Sequence, residues 1–194
     1  MDVVQRVQAI LLRPREEWLK IKGEPTSVAS LFTSYAMVLA AVPAAAQFVG
    51  RLLFRSEIPF ARVPNWTFGR ALASAVVSYL ASLALVYLFA FTINTLAPNF
   101  SSVPHISNAM KLAVYSMTPF WVAGLLYIVP RLGVVVALAG FYGLYLLYLG
   151  FEAPVMETPR EKALGFFGVS LIALAALLLL RALVLGVFSL RPVI

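Results

Sequence analysis

Ser74, Ser78 and Ser82 recur every four residues, and Tyr79, Thr92 and Asn94 add polar groups along the same apolar run. On a helix that spacing puts the three serines on one face. Hydroxyls so placed can line a polar pathway, or they can bond back to a carbonyl one turn earlier and support close helix packing. A second set of chemistry-bearing residues is charged. It comprises Arg13, Arg15, Glu16 and Glu17 near the N-terminus, and Glu152, Glu157, Arg160, Glu161 and Lys162 in the stretch FEAPVMETPREKA. Such a mixed-charge surface suits recognition of a protein partner. The third candidate is an outer ion pair between Arg181, the cation of the last apolar run, and Glu57.

Catalysis has little to draw on. Cysteine is absent, which removes thiol chemistry, thiolate ligation of metals and disulfides. His105 is the single histidine and reads as a solvated loop residue. Ionisable groups deep in a membrane mark catalytic and transport sites. The cores of the first four apolar runs hold no Asp, Glu, Lys, Arg or His, and Arg70 and Lys111 fall at their ends. We therefore expect a non-enzymatic protein with no metal and no cofactor.

The elements that position these residues follow from the composition. The chain of 194 residues is 62% hydrophobic and only 12% charged, with mean hydropathy +0.92. A soluble domain carries about 25% charged residues. The stretch from Ala109 to Gly150 is two apolar runs, each about 20 residues, long enough to cross a hydrocarbon core of about 30 Å as a helix. The break between them is Val129-Pro130-Arg131-Leu132-Gly133. Pro130 stops the first helix, and so short a link makes the two antiparallel neighbours. Three further apolar runs complete an all-α polytopic integral membrane protein, a five-transmembrane-helix bundle. Its spans are expected at about 27–50, 69–96, 109–129, 132–151 and 163–187, and they make a domain of residues 27–194.

Residues 1–26 form a polar, basic tail ahead of that domain. Val3, Val4, Val7, Ile10 and Leu11 recur at helical spacing, which predicts a short amphipathic helix in the membrane interface. Gln5, Arg6 and Gln8 interrupt it, so it lacks the apolar core of a signal peptide. Pro14 opens a second helix, with Glu16 and Glu17 in its first turn and Trp18 as an interfacial anchor. Within the spans, Ala36, Ala40 and Ala44 form a small-residue stripe and Pro43 should kink the helix. Gly133 with Gly140, and Gly143 with Gly150, make two faces where neighbouring backbones can approach. Tyr142, Tyr145 and Tyr148 read as interfacial packing. Thr158 and Pro159 read as the N-cap and first position of the fifth span, whose leucines face lipid.

The net charge of +7 reflects basic residues flanking the spans, which anionic lipid headgroups attract. With the N-terminus in the cytoplasm and the C-terminus outside, eight basic residues fall inside and seven outside. That balance does not choose an orientation, but the tail ahead of the first span holds five of the eight and commonly dominates. The basic residues are scattered along the loops, which argues against nucleic acid.

Several residues together resemble the Yip1 family in its short prokaryotic form. They are Arg13-Pro14-Arg15, Trp18, Ile21 and Glu24 in the tail, Tyr115 and Pro119 opening the third span, and Gly124 and Pro130 closing it. The fourth span carries GFYGLYLLYLG and the following loop METPREK. The resemblance implies a five-helix membrane domain with a cytosolic N-terminus and the C-terminus on the far side. In eukaryotes the family is tied to vesicle trafficking and Rab-type small GTPases. This tail is much shorter and has no match to the eukaryotic DLYGP-like motif, so what carries over is a membrane-embedded scaffold or adaptor. The alternative is a channel or transporter for a small solute or ion, using the serine row. The expected partners are the bilayer with its anionic lipids and a protein client, with a second copy of the chain as an open alternative.

Overall fold

The structure is a computed structural model and describes residues 2–54, 67–153 and 155–190. Two short helices lead, α1 over Val3–Leu12 and α2 over Pro14–Gly23. Arg13 separates them in a non-helical conformation, the one favoured for a residue before proline. Five helices long and apolar enough to cross a membrane follow: Val28–Leu53, Phe68–Phe100, Ile106–Ile128, Pro130–Glu152 and Arg160–Gly186. Ser27 starts the first span by accepting a hydrogen bond from the Ser30 N–H at 3.1 Å, and Thr67 does the same for Arg70 at 3.4 Å at the start of the second. The fifth helix runs on to Leu190. The chain is thus an all-α, multi-pass membrane protein.

The third span is the centre of the bundle, and the fifth is its rim. Residues Ala109 to Ser116 of the third span are all buried, whereas Leu164, Ile172, Leu179 and Leu183 of the fifth are more than half exposed to what would be lipid. The third span is not one continuous helix, as its sequence suggested. It runs as α-helix over Ile106–Ser116, pauses at Met117, resumes over Thr118–Ala123 and tightens to 3₁₀ over Gly124–Ile128. Pro119 accounts for the pause, since it has no N–H to give the ladder and crowds the preceding turn. The expected hairpin is present: Val129 is extended before Pro130, a 3₁₀ turn covers Pro130–Leu132, and the fourth span returns along the third.

Close approach depends on small residues. Ala36, Ala40 and Ala44 are buried in the first span. The helix passes through Pro43, and a Cβ on Gly124 would strike that proline ring. Of the two expected glycine faces, one packs and one does not. A Cβ on Gly143 would lie 2.6 Å from the Ser116 carbonyl oxygen, and one on Gly150 would collide with Leu112 and Trp18. Gly140, by contrast, has nothing within 4 Å of such an atom, and Gly133 meets only the edge of Tyr127 at 3.6 Å. Seven residues on a straight helix drift about 20° from a repeat of two turns, but the deciding factor is the partner. The third span covers one side of the fourth and leaves the other open.

The tail belongs to this core. Ile10, Trp18 and Ile21 are completely buried and share one apolar cluster with the third and fourth spans. Trp18 is therefore not the interfacial anchor its position suggested. Its indole slots against Gly150 and meets Tyr115 edge-to-face at 6.1 Å. Thr158 also departs from expectation: its hydroxyl accepts a hydrogen bond from Ser102 at 2.8 Å, joining two loops, and the helix begins at Arg160.

Candidate interaction site at the tail end of the bundle

Arg6 stands at the junction of tail and bundle. On α1 it shares a face with Val3, Val7 and Ile10, the face turned inward, so its guanidinium enters the protein instead of water. One nitrogen donates to the Glu17 carboxylate and the other to both oxygens of Glu24, at 2.5 and 2.6 Å. Lys20 adds a contact of 3.4 Å to Glu17. The Arg6 guanidinium carbon also lies 5.8 Å from the centre of the Tyr115 ring, a cation–π contact with the third span. Burial works against the charge, but the Glu24 hydrogen bond and the fields of Tyr115, Glu24 and Glu17 outweigh it. They hold the guanidinium above its ordinary pKa.

Three further contacts then fasten the tail to the spans. Lys111, itself buried, donates to the Glu24 backbone carbonyl at 2.7 Å. The Tyr142 hydroxyl of the fourth span donates to the Leu11 carbonyl at 2.8 Å, at the end of α1. Tyr115 is packed between Trp18 and Tyr35, and the Tyr35 hydroxyl is 2.9 Å from that of Thr118. Both carboxylates are engaged by cations, so this arrangement clamps the tail.

Around the clamp lies the charged surface. Arg13, Arg15, Glu16, Glu152, Glu157, Arg160, Glu161 and Lys162 are exposed. Glu17 is not: it is 1% exposed and bonded to Arg6, which removes it from the expected partner surface. Among the described residues no ion pair joins the tail to the 152–162 loop. Lys162 instead donates to the Ser101 hydroxyl at 2.8 Å, and Glu157 sits in the left-handed backbone region at φ 54°. The tail, the turn near Ser101 and the 152–162 loop thus share one end of the molecule, with their charges turned outward.

The polar row of the second span is divided among packing partners. Ser74 accepts from Arg51 of the first span at 2.5 Å, and Ser82 accepts from the Trp121 indole of the third at 3.2 Å. Ser78 is buried, the Tyr79 hydroxyl donates to the Met37 carbonyl at 3.3 Å, and Thr92 bonds back to Leu88 at 2.8 Å. The Asn94 side-chain oxygen is buried without a hydrogen-bond partner. Glu57 lies outside the described residues, so the structure does not speak to its pairing with Arg181.

Sequence reasoning passed over Arg6, Glu24 and Lys111 as site residues. The signal was present for Arg6, which falls at the i+3 position of the apolar face begun by Val3. For Glu24 and Lys111, which are 87 residues apart, nothing local announces the contact.

A model of the Yip1 domain matches residues 9–182 of this chain. The chain is also 26% identical over 190 residues to inner membrane protein YohC of Escherichia coli strain K12, covering 94% of this chain and 97% of that protein. The YohC protein of Escherichia coli O6:H1 strain CFT073 matches to the same extent. No solved structure matches. The family match begins inside α1 after Arg6, takes in Glu17, Glu24 and Lys111, and ends just past Arg181. On that extent of agreement, the chain belongs to the Yip1 family.

Proposed function

We propose that this protein is a non-enzymatic scaffold or adaptor of the cell's inner membrane, with the tail end of the bundle in the cytoplasm. The supporting observation is the clamp. Arg6 bonded to Glu17 and Glu24, with Lys111 on the Glu24 carbonyl, holds the tail against the third span. A tail so held presents Arg13, Arg15 and Glu16 at a set place beside Glu152, Glu157, Arg160, Glu161 and Lys162. A preformed surface spares a partner the entropy of ordering it. The hydrogen bonds from Arg51 and Trp121 to Ser74 and Ser82 support a packing role for that row over a solute pathway.

Photo-crosslinking groups placed at Arg15 and Arg160, in native membranes, test this reading. The expected result is that both positions capture the same protein. Reversing the charges of Arg13, Arg15 and Glu16 together should abolish capture from Arg160 as well. Capture of unrelated proteins at the two positions would overturn the shared surface. Solute flux through the purified protein in sealed vesicles would favour transport.

A further inference from the structure

A cleft of about 260 Å³ lies between the second, third, fourth and fifth spans, where the fourth span turns from the third. It is close to the small end of ligand pockets, about 300–1,000 Å³. Its walls are almost wholly apolar, and exposed Phe141 and Leu178 at its edge open it toward hydrocarbon. Among the described residues, two polar atoms on the lining residues have no hydrogen-bond partner. The Ser116 hydroxyl is buried, on a residue 3% exposed, and the Arg181 Nε is buried as well. Buried polar atoms are nearly always paired, so the unpaired Arg181 nitrogen beside the cleft points to a missing partner for that side chain.

The depth of Arg181 says what kind. Leu174, Leu178 and Arg181 follow one another at spacings of four and three along one face of the fifth span, and that face lines the cleft. Arg181 stands 21 residues beyond Arg160, where the helix begins, which is about 32 Å at 1.5 Å per residue. That distance spans a hydrocarbon core of about 30 Å, so the guanidinium is level with the headgroups of the leaflet opposite the tail. Below it the cleft descends through apolar walls to Ser116, near the middle of its own span. A cation at headgroup level above an apolar slot matches one chemistry: an anionic head on a hydrocarbon chain. Arginine binds phosphate oxygens through two parallel N–H donors.

We propose that this cleft is a binding site for an anionic glycerophospholipid of the leaflet opposite the tail. Arg181 receives the phosphate, and one acyl chain lies in the cleft along Gly140 and Phe141 with its far end toward Ser116. The site goes beyond the scaffold reading and does not depend on it.

Gly140 supplies a clean test, because it lines the cleft and a Cβ there meets nothing within 4 Å. Gly140→Leu should fill the cleft while leaving helix packing alone. The full chain is placed in nanodiscs of equal parts phosphatidylglycerol and phosphatidylcholine, extracted gently and weighed by native mass spectrometry. The wild-type protein is expected to retain phosphatidylglycerol in preference to phosphatidylcholine. Arg181→Leu should lower that retention about tenfold, Arg181→Lys should restore part of it, and Gly140→Leu should remove it without lowering the melting temperature. Equal retention of the two lipids would overturn the proposal. So would undiminished phosphatidylglycerol on Gly140→Leu, or a free fatty acid or a second copy of the chain in place of the lipid. Should Arg181→Leu fail to fold, the Gly140→Leu result decides alone.

Discussion

Removing the Arg6 side chain leaves Glu17, at 1% exposure, with only the 3.4 Å contact to Lys20. Breaking one partner of a buried ion pair costs about 3–5 kcal/mol, because the remaining charge stays desolvated. Arg6→Met should therefore lower stability by about that much in thermal unfolding of the detergent-solubilised protein. The double variant Arg6→Met with Glu17→Leu should recover most of the loss, since apolar groups of similar size replace a buried pair at little cost. A double variant no better than the single one would mean that the pair itself holds the tail. Trp18 makes a second case at this scale. Trp18→Ala should cost about 3–5 kcal/mol, the loss for a buried aromatic, with a gap left beside Gly150. An anchor lying in the headgroups would cost the bundle far less on truncation.

At the scale of elements, the pairing of the third and fourth spans rests on Gly143 and Gly150. The Ser116 carbonyl oxygen leaves no room for a side chain at Gly143, and backbone cannot yield as a flexible side chain can. Gly143→Leu should destabilise by at least the 1–3 kcal/mol typical of overpacking. Gly140→Leu, one turn away on the open side, should be neutral or stabilising, because leucine is a better helix former by about 1 kcal/mol. Melting temperatures of the two variants, measured side by side, check the assignment of faces. If both fall equally, the fourth span has been given the wrong rotation.

The whole molecule has two ends, and their sides of the membrane remain a prediction. We expect the tail and the 152–162 loop in the cytoplasm and the turn at Arg131 outside. The chain has no cysteine, so single cysteines can be introduced without a background. A membrane-impermeant thiol reagent applied to intact cells should label Arg131→Cys and not Arg15→Cys, both exposed positions. The reverse pattern would invert the topology and move the charged surface to the outside. It would leave the clamp and the cleft intact, since both are internal to the fold.

Much of the architecture was legible in the chain alone. Apolar runs of helical length, the Val129 to Leu132 break and the alanine stripe each express a local rule, one that acts within a turn or a single span. So did the two tail helices, bounded by Pro14. Counting residues from Ala163 likewise puts Arg181 about 27 Å along the fifth helix, near its far end. Tertiary structure decided which side of each helix meets protein. A hydropathy run treats every apolar face alike, and in a membrane protein both core and lipid are apolar, so Gly140 and Gly143 read the same until the third span is placed. It also decided the fate of the tail's charges. Arg6 and Glu17 look like solvated residues of an interfacial helix, yet folding buries them because Glu24, Lys111 and the Tyr115 ring arrive from elsewhere in the chain. Buried charge is tolerated only where partners converge, and convergence over 87 residues is a property of the fold.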